Sequence, residues 1–120
     1  MEQRFVASLD KVESIGIDIE WDDRKVAKRS EKFFVHAEDS EKDLLKLWCL
    51  KEACFKACER LISKQYWGFS TDKTIVLKDF LIQGSKVYWK ENGLELGNVQ
   101  LETRKQNGRN LRIALCVIGK

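Results

Sequence analysis

The stretch Ile15-Gly16-Ile17-Asp18-Ile19-Glu20 decides how the rest of this chain is read. Its isoleucines alternate with Gly16, Asp18 and Glu20, and a period of two is the pattern of a β-strand with one apolar face. Asp18 and Glu20 then share the other face, with Cα atoms about 6.5–7 Å apart at the usual rise per residue. Neighbouring carboxylates repel unless a positive charge lies between them. A hard divalent cation such as Mg2+ meets that need, because it takes oxygen ligands and accepts one or two carboxylates together with a substrate phosphate. An antiparallel strand with one wet face explains the same alternation without any ion. Gly16 has no side chain, so a backbone or a ligand can approach closely there.

On the N-terminal side, Arg4–Asp10 reads as a first strand, turned back through Asp10 to Ser14 into the Ile15–Glu20 strand as a hairpin. On the C-terminal side, Asp22 or Asp23 is expected to cap a helix running to about Phe34. On a helical wheel Arg24, Lys25, Lys28, Arg29 and Lys32 share one arc, and Val26, Ala27, Phe33 and Phe34 the opposite one. The basic arc reads either as a solvated face or as a docking surface for an acidic partner or for phosphates. The stretch from His36 to Ser40 is expected to break this helix and to leave His36 in a loop.

Glu41 to Ile62 reads as the longest helix. Its apolar side carries Leu44, Leu47, Trp48, Cys54, Phe55, Cys58, Leu61 and Ile62. At 3.6 residues per turn, Lys51 falls near the middle of that arc and Glu52 on its shoulder, with Lys56 one turn beyond Glu52. A core helix normally keeps charges off its buried face, so this break in the pattern marks a candidate site. The alternative is that Lys51 snorkels outward and Glu52–Lys56 is a surface pair. Ser63 to Thr71 forms a loop in which Tyr66, Trp67, Gly68 and Phe69 plug the core edge or line a pocket. The remainder reads as strands. Asp79–Ile82 and Lys86–Trp89 lie around Gly84-Ser85, and Asn92-Gly93 marks a turn. Val99–Arg104 and Leu111–Ile118 flank a hairpin turn at Asn107-Gly108.

The chain of 120 residues suits one domain, 1–120. A hydrophobic share of 43% is that of a globular protein and argues against a disordered tail. No apolar run reaches the length of a membrane span, and the N-terminus lacks the apolar core of a signal peptide. A net charge of +3 fits anionic partners without requiring nucleic acid. Cys49, Cys54, Cys58 and Cys116 form no paired CxxC motifs, and they read as small buried hydrophobes of a protein in the reducing cytoplasm. Together, Asp18 and Glu20 on a strand and Lys51, Glu52 and Lys56 on a long helix are equipment for chemistry on a phosphate or pyrophosphate.

These residues resemble the motifs of the 4'-phosphopantetheinyl transferases. Gly16-Ile17-Asp18-Ile19-Glu20 looks like the first motif of that family. Trp48-Cys49-Leu50-Lys51-Glu52-Ala53-Cys54-Phe55-Lys56 looks like the second, W-x-x-K-E-x-x-x-K. Phe33-Phe34-Val35-His36-Ala37-Glu38 is similar to the F-x-x-x-E element between them. The resemblance implies a small antiparallel sheet packed on one long helix, an α+β fold, with the shorter basic helix beside it. It implies Mg2+-dependent transfer of 4'-phosphopantetheine from coenzyme A to a serine of an acidic acyl or peptidyl carrier protein, with Mn2+ as the alternative metal. Asp18, Glu20 and Glu52 would match the metal ligands of the surfactin-synthetase-activating type, and Glu52 its general base. Lys56 and Lys51 would contact phosphates, Glu38 would lie near the metal waters, and Arg24, Lys25, Lys28, Arg29 and Lys32 would meet the carrier.

The motifs match the two-halved surfactin-synthetase-activating branch, whereas the length matches the short, trimeric holo-acyl-carrier-protein synthases. Each branch carries a serine–histidine nucleotide-binding motif that this chain lacks. A lone half is therefore expected to form a homo-oligomer, dimer or trimer, with the site at the interface. The competing expectations are a non-catalytic module that binds coenzyme A or a carrier, and a different metal-dependent pyrophosphate or phosphodiester hydrolase.

Overall fold

The alternation around Asp18 forms strand β1 (Val12–Trp21). The computed structural model of the chain describes residues 12–59 and 75–119. The expected strand Arg4–Asp10, the first part of its turn, Leu61 and Ile62 of the long helix, and Tyr66, Trp67, Gly68 and Phe69 lie outside the described residues. After β1 come α1 (Leu44–Glu59), β2 (Phe80–Gln83), β3 (Lys86–Trp89), β4 (Glu95–Gln106) and β5 (Arg109–Gly119). The strands form one antiparallel sheet in the order β1-β5-β4-β3-β2, so the first and last strands lie side by side. The β4–β5 hairpin closes through Asn107 and Gly108, both with positive φ (53° and 78°). Two left-handed residues give a two-residue turn the twist that its flanking strands need.

Helix α1 lies across one face of the sheet. Leu47, Leu50, Ala53, Cys54, Ala57 and Cys58 pack there with Ala114, Cys116 and Ile118 of β5 and with Phe80, Ile82, Val87 and Leu96. All four cysteines are buried free thiols, as their use as small hydrophobes requires. The helix starts at Leu44, later than expected, because Asp43 Oδ1 accepts the backbone N–H groups of Leu45 (3.0 Å) and Lys46 (3.1 Å). A carboxylate in that place satisfies donors that the first helical turn leaves free. Among the described residues no helix is long and apolar enough to cross a membrane.

The apolar side of β1 does not face the helix. Ile15, Ile17 and Ile19 point outward and are 41%, 50% and 54% exposed. Ser14, Gly16 and Asp18 are buried under α1 instead. The cause is close backbone packing at Gly16, where a Cβ would lie 2.0 Å from Ala53 O and 2.6 Å from Ala57 N. Only the glycine face of β1 lets the helix approach so near, and an isoleucine face would hold it off.

The basic helix expected from Asp23 to Phe34 does not form. Residues 24–27 take no regular structure, and only Lys28–Phe33 coils, as a short 3-10 segment. Both candidate caps are engaged elsewhere. Asp22 accepts hydrogen bonds from Asn110 (3.1 Å) and Arg112 (3.0 Å), and Asp23 pairs with Arg109 at 3.0 Å. These bonds tie the end of β1 to β5 and remove the carboxylates from capping.

Candidate active site

The crossing of α1 over Gly16 brings the two charged motifs together. Lys56 Nζ donates to Asp18 Oδ1 at 2.9 Å and to Ile17 O at 3.3 Å. Asp18 is almost wholly buried, whereas Lys56 is half exposed. The second carboxylate oxygen, Asp18 Oδ2, is buried without a hydrogen-bond partner. Glu20 lies on the same face of β1, where its Oε2 accepts from Arg24 Nη1 at 2.6 Å. The guanidinium of Arg24 also sits 5.3 Å from the ring centroid of Trp48.

Glu52 completes the group from one turn before Lys56. Partial burial pushes its carboxyl above the usual glutamate value, and the negative charge of Asp18 pushes it further in the same direction. Lys56 and Arg24 oppose that shift. The hydrogen bond to Asp18 holds the Lys56 ammonium above its ordinary pKa, and the bond to Glu20 does the same for Arg24. Asp18, Glu20, Glu52, Arg24 and Lys56 thus form one charge cluster of three carboxylates and two cations. Among the described residues, no three acidic, histidine or cysteine side chains converge closely enough to hold a metal ion. In this arrangement the two cations already claim Asp18 and Glu20.

Beside the cluster opens a cavity of about 580 Å³. Trp48, Glu52 and Phe55 of α1 form one wall, Ser30, Lys32 and Phe33 a second, and Val76, Leu77 and Lys78 a third. The floor is apolar, with Glu52 and the two lysines supplying charge. Sequence patterning does not reveal this cavity, because its three walls are far apart in the chain.

The remaining site candidates lie apart from the cluster. Lys51 is wholly buried, and its ammonium donates to Phe34 O and to Asp39 Oδ2, the latter at 2.7 Å. It does not snorkel. Burial lowers its pKa, and the bond to Asp39 opposes that shift. Glu38 is exposed on the following loop, where its carbonyl accepts from Gln83 Nε2 at 3.4 Å. Lys25, Lys28, Arg29 and Lys32 are exposed, on the short 3-10 segment and the irregular stretch before it rather than on a helix. His36 is a loop residue, as expected, with Nε2 2.6 Å from Lys78 O.

Asp39 was not legible as a key residue. It is buried and accepts from three donors: Lys51 Nζ, the N–H of His36 at 2.8 Å and the N–H of Ile82 at 2.9 Å. The available signal was Lys51 itself, since a lysine in a buried arc needs a buried anion.

A family model for the 4'-phosphopantetheinyl transferase superfamily matches residues 14–116. No curated protein and no solved structure matches the chain.

Proposed function

Because the chain belongs to the 4'-phosphopantetheinyl transferase superfamily, we propose that it is a holo-acyl-carrier-protein synthase. It would move 4'-phosphopantetheine from coenzyme A to a serine of an acyl or peptidyl carrier protein. The observation that carries this reading is the junction of β1 and α1, which groups Asp18, Glu52 and Lys56 beside an open cavity.

The residues fit a divalent cation in one respect: Asp18 Oδ2 is a buried acceptor with no partner. Asp18, Glu20 and Glu52 would hold Mg2+, or Mn2+ in its place, once Lys56 and Arg24 release the first two. When bound, such an ion polarises the phosphoanhydride oxygens and offsets the charge that gathers on them. Glu52 takes the proton of the carrier serine. The serine oxygen bonds to the β-phosphorus, the phosphoanhydride bond breaks, and adenosine 3',5'-bisphosphate leaves. Lys56, half exposed and paired only at its tip, turns from Asp18 to neutralise the departing phosphate. Lys51 takes no part in that contact in this proposal, because its ammonium is buried against Asp39 and Phe34. Glu38 has no assigned role. The exposed Lys25, Lys28, Arg29 and Lys32 give an acidic carrier a complementary surface, while Arg24 serves Glu20 first. Four reduced thiols suit a cytoplasmic protein.

Intact-protein mass spectrometry tests the reaction. An apo carrier protein incubated with the chain, coenzyme A and Mg2+ should gain one phosphopantetheine, and EDTA should abolish the gain. No gain across several carriers, with the chain folded, would overturn the proposal. The second reading is a non-catalytic coenzyme A or carrier-binding module. It draws on the failure of the three carboxylates to converge, and binding without transfer under every divalent metal would favour it.

The proposal includes a homo-oligomer. Its support is the outer face of β1, where the exposed Ile15, Ile17 and Ile19 pair across the strands with a buried Val117 and the half-buried Leu115 and Ile113 of β5. On β4 the same face turns polar, with Asn98, Gln100 and Glu102 next in line. An apolar stripe with a polar rim is the pattern of an association surface. It lies on the side of β1 opposite Asp18, so a second copy seated there stands behind the carboxylates. Ile17→Glu is expected to convert the oligomer to monomer in sedimentation at micromolar concentration. A monomeric parent protein would remove the oligomer from the proposal.

A further inference from the structure

Lys51 and Asp39 are the one buried ion pair among the described residues that the proposed chemistry does not use. A buried pair is costly to desolvate, and geometry alone must justify it. Apart from the N–H of His36 in Asp39's own loop, the remaining bonds of the pair reach residues next to, or a few places after, two of the segments that wall the cavity beside Glu52. Lys51 belongs to α1, which supplies Trp48, Glu52 and Phe55. Its ammonium donates to the carbonyl of Phe34, the residue after Phe33 in the second wall. Asp39 Oδ1 accepts from the N–H of Ile82, in the strand that follows the third wall. Ser40 N–H donates to Ile82 O at 2.9 Å, beside that bond.

A surface latch runs parallel to the buried pair. The His36 ring nitrogen Nε2 bonds Lys78 O at 2.6 Å, and Lys78 Nζ donates to Lys32 O at 3.0 Å. These bonds tie the second wall to the third. Trp48, in the first wall, packs edge-on against Phe34 with ring centroids 5.3 Å apart. Three chain segments are thus fastened from behind by one hub, and Glu52 is the next residue after the hub's lysine.

We propose that Lys51 and Asp39 are positioning residues: they set the gape of the cavity between α1, residues 30–33 and residues 76–78, and so fix the approach of a substrate to Glu52. This rests on the reading of Glu52 as the base. Neither residue touches substrate. A small displacement of a reacting group can lower a rate by about 100-fold, so the hub acts on turnover more than on coenzyme A affinity.

The test uses the full chain labelled with 5-fluorotryptophan, with the Trp48 resonance assigned through Trp48→Phe. Lys51→Met is expected to shift the Trp48 resonance without any substrate and to lower kcat by about 10–100-fold, with KM for coenzyme A changed less than about twofold. A phosphate contact at Lys51 would instead raise KM for coenzyme A and leave Trp48 unmoved, and that result overturns the proposal. His36→Ala cuts the exposed latch alone and covers the case in which Lys51→Met does not fold. It should shift the same resonance, and an unmoved resonance in a folded His36→Ala protein then overturns the proposal. The resonance needs no transferase activity, so a chain without turnover still decides the hub while failing the reading of Glu52.

Discussion

Glu52→Gln is expected to keep the fold and to lower phosphopantetheine transfer by about 10²–10⁴-fold, the range that a lost general base commands. The two side chains have nearly the same shape, so the walls around Trp48 and Phe55 should not move. What disappears is the proton acceptor and one charge of the cluster. The same variant should be more stable than the parent near pH 7 when both are measured in EDTA. The carboxyl of Glu52 is raised above the ordinary 4.5 first by desolvation and then by Asp18. A carboxyl with a raised folded-state pKa favours folding fully below the unfolded value, and that contribution is lost as pH rises through the folded value. Above that window the charged Glu52 is a burden that glutamine does not carry. Thermal melts should therefore show Glu52→Gln ahead at pH 7 and level with the parent at pH 4. Lost transfer together with a raised melting point separates a missing base from a damaged fold. Full transfer by a folded Glu52→Gln protein would show that Glu52 is not the base.

Gly16→Ala is expected to lower the stability of the fold by about 3 kcal/mol or more. The new Cβ would lie 2.0 Å from Ala53 O and 2.6 Å from Ala57 N, both backbone atoms of α1. A flexible side chain could move aside, but a helix backbone moves only as a whole. Lifting α1 from β1 opens the core along Cys54, Ala57 and Cys58 and draws Lys56 and Glu52 away from Asp18. For a domain of this size the melting temperature should fall by about 10 °C or more. Gly84→Ala is the control: φ there is +62°, and nothing lies within 4 Å of the added Cβ. It should cost only the strain of a left-handed alanine, about 1–2 kcal/mol. A Gly16→Ala protein that melts within 2 °C of the parent, ~0.5 kcal/mol on the same scale, would mean that α1 is not seated on Gly16.

Local patterns carried much of the fold. The period of two from Ile15 to Glu20, the charged break in the helix at Lys51-Glu52 and the Asn107-Gly108 turn are properties of a few adjacent residues. Each survives in the structure as a strand, a helix and a hairpin. The three motifs were in order along the chain, and the superfamily match covers them. The helix expected after Asp23 does not form because the partners of its caps lie outside the local sequence. Arg109, Asn110 and Arg112, far along the chain, hold Asp22 and Asp23 instead.

The sequence by itself determined the β1 strand, the long helix and the closing hairpin, and which residues carry charge onto them, because backbone periodicity and turn chemistry act over a few residues. Tertiary structure alone decided which face of β1 is inside. An alternating strand names two faces without ranking them, and here a glycine that admits a helix backbone outweighs three isoleucines. It also decided the partners of the charges. Lys51 went to Asp39 because burial leaves its ammonium no water, and the half-exposed Lys56 went to Asp18 because the buried carboxylate needs whichever cation the packing brings within reach.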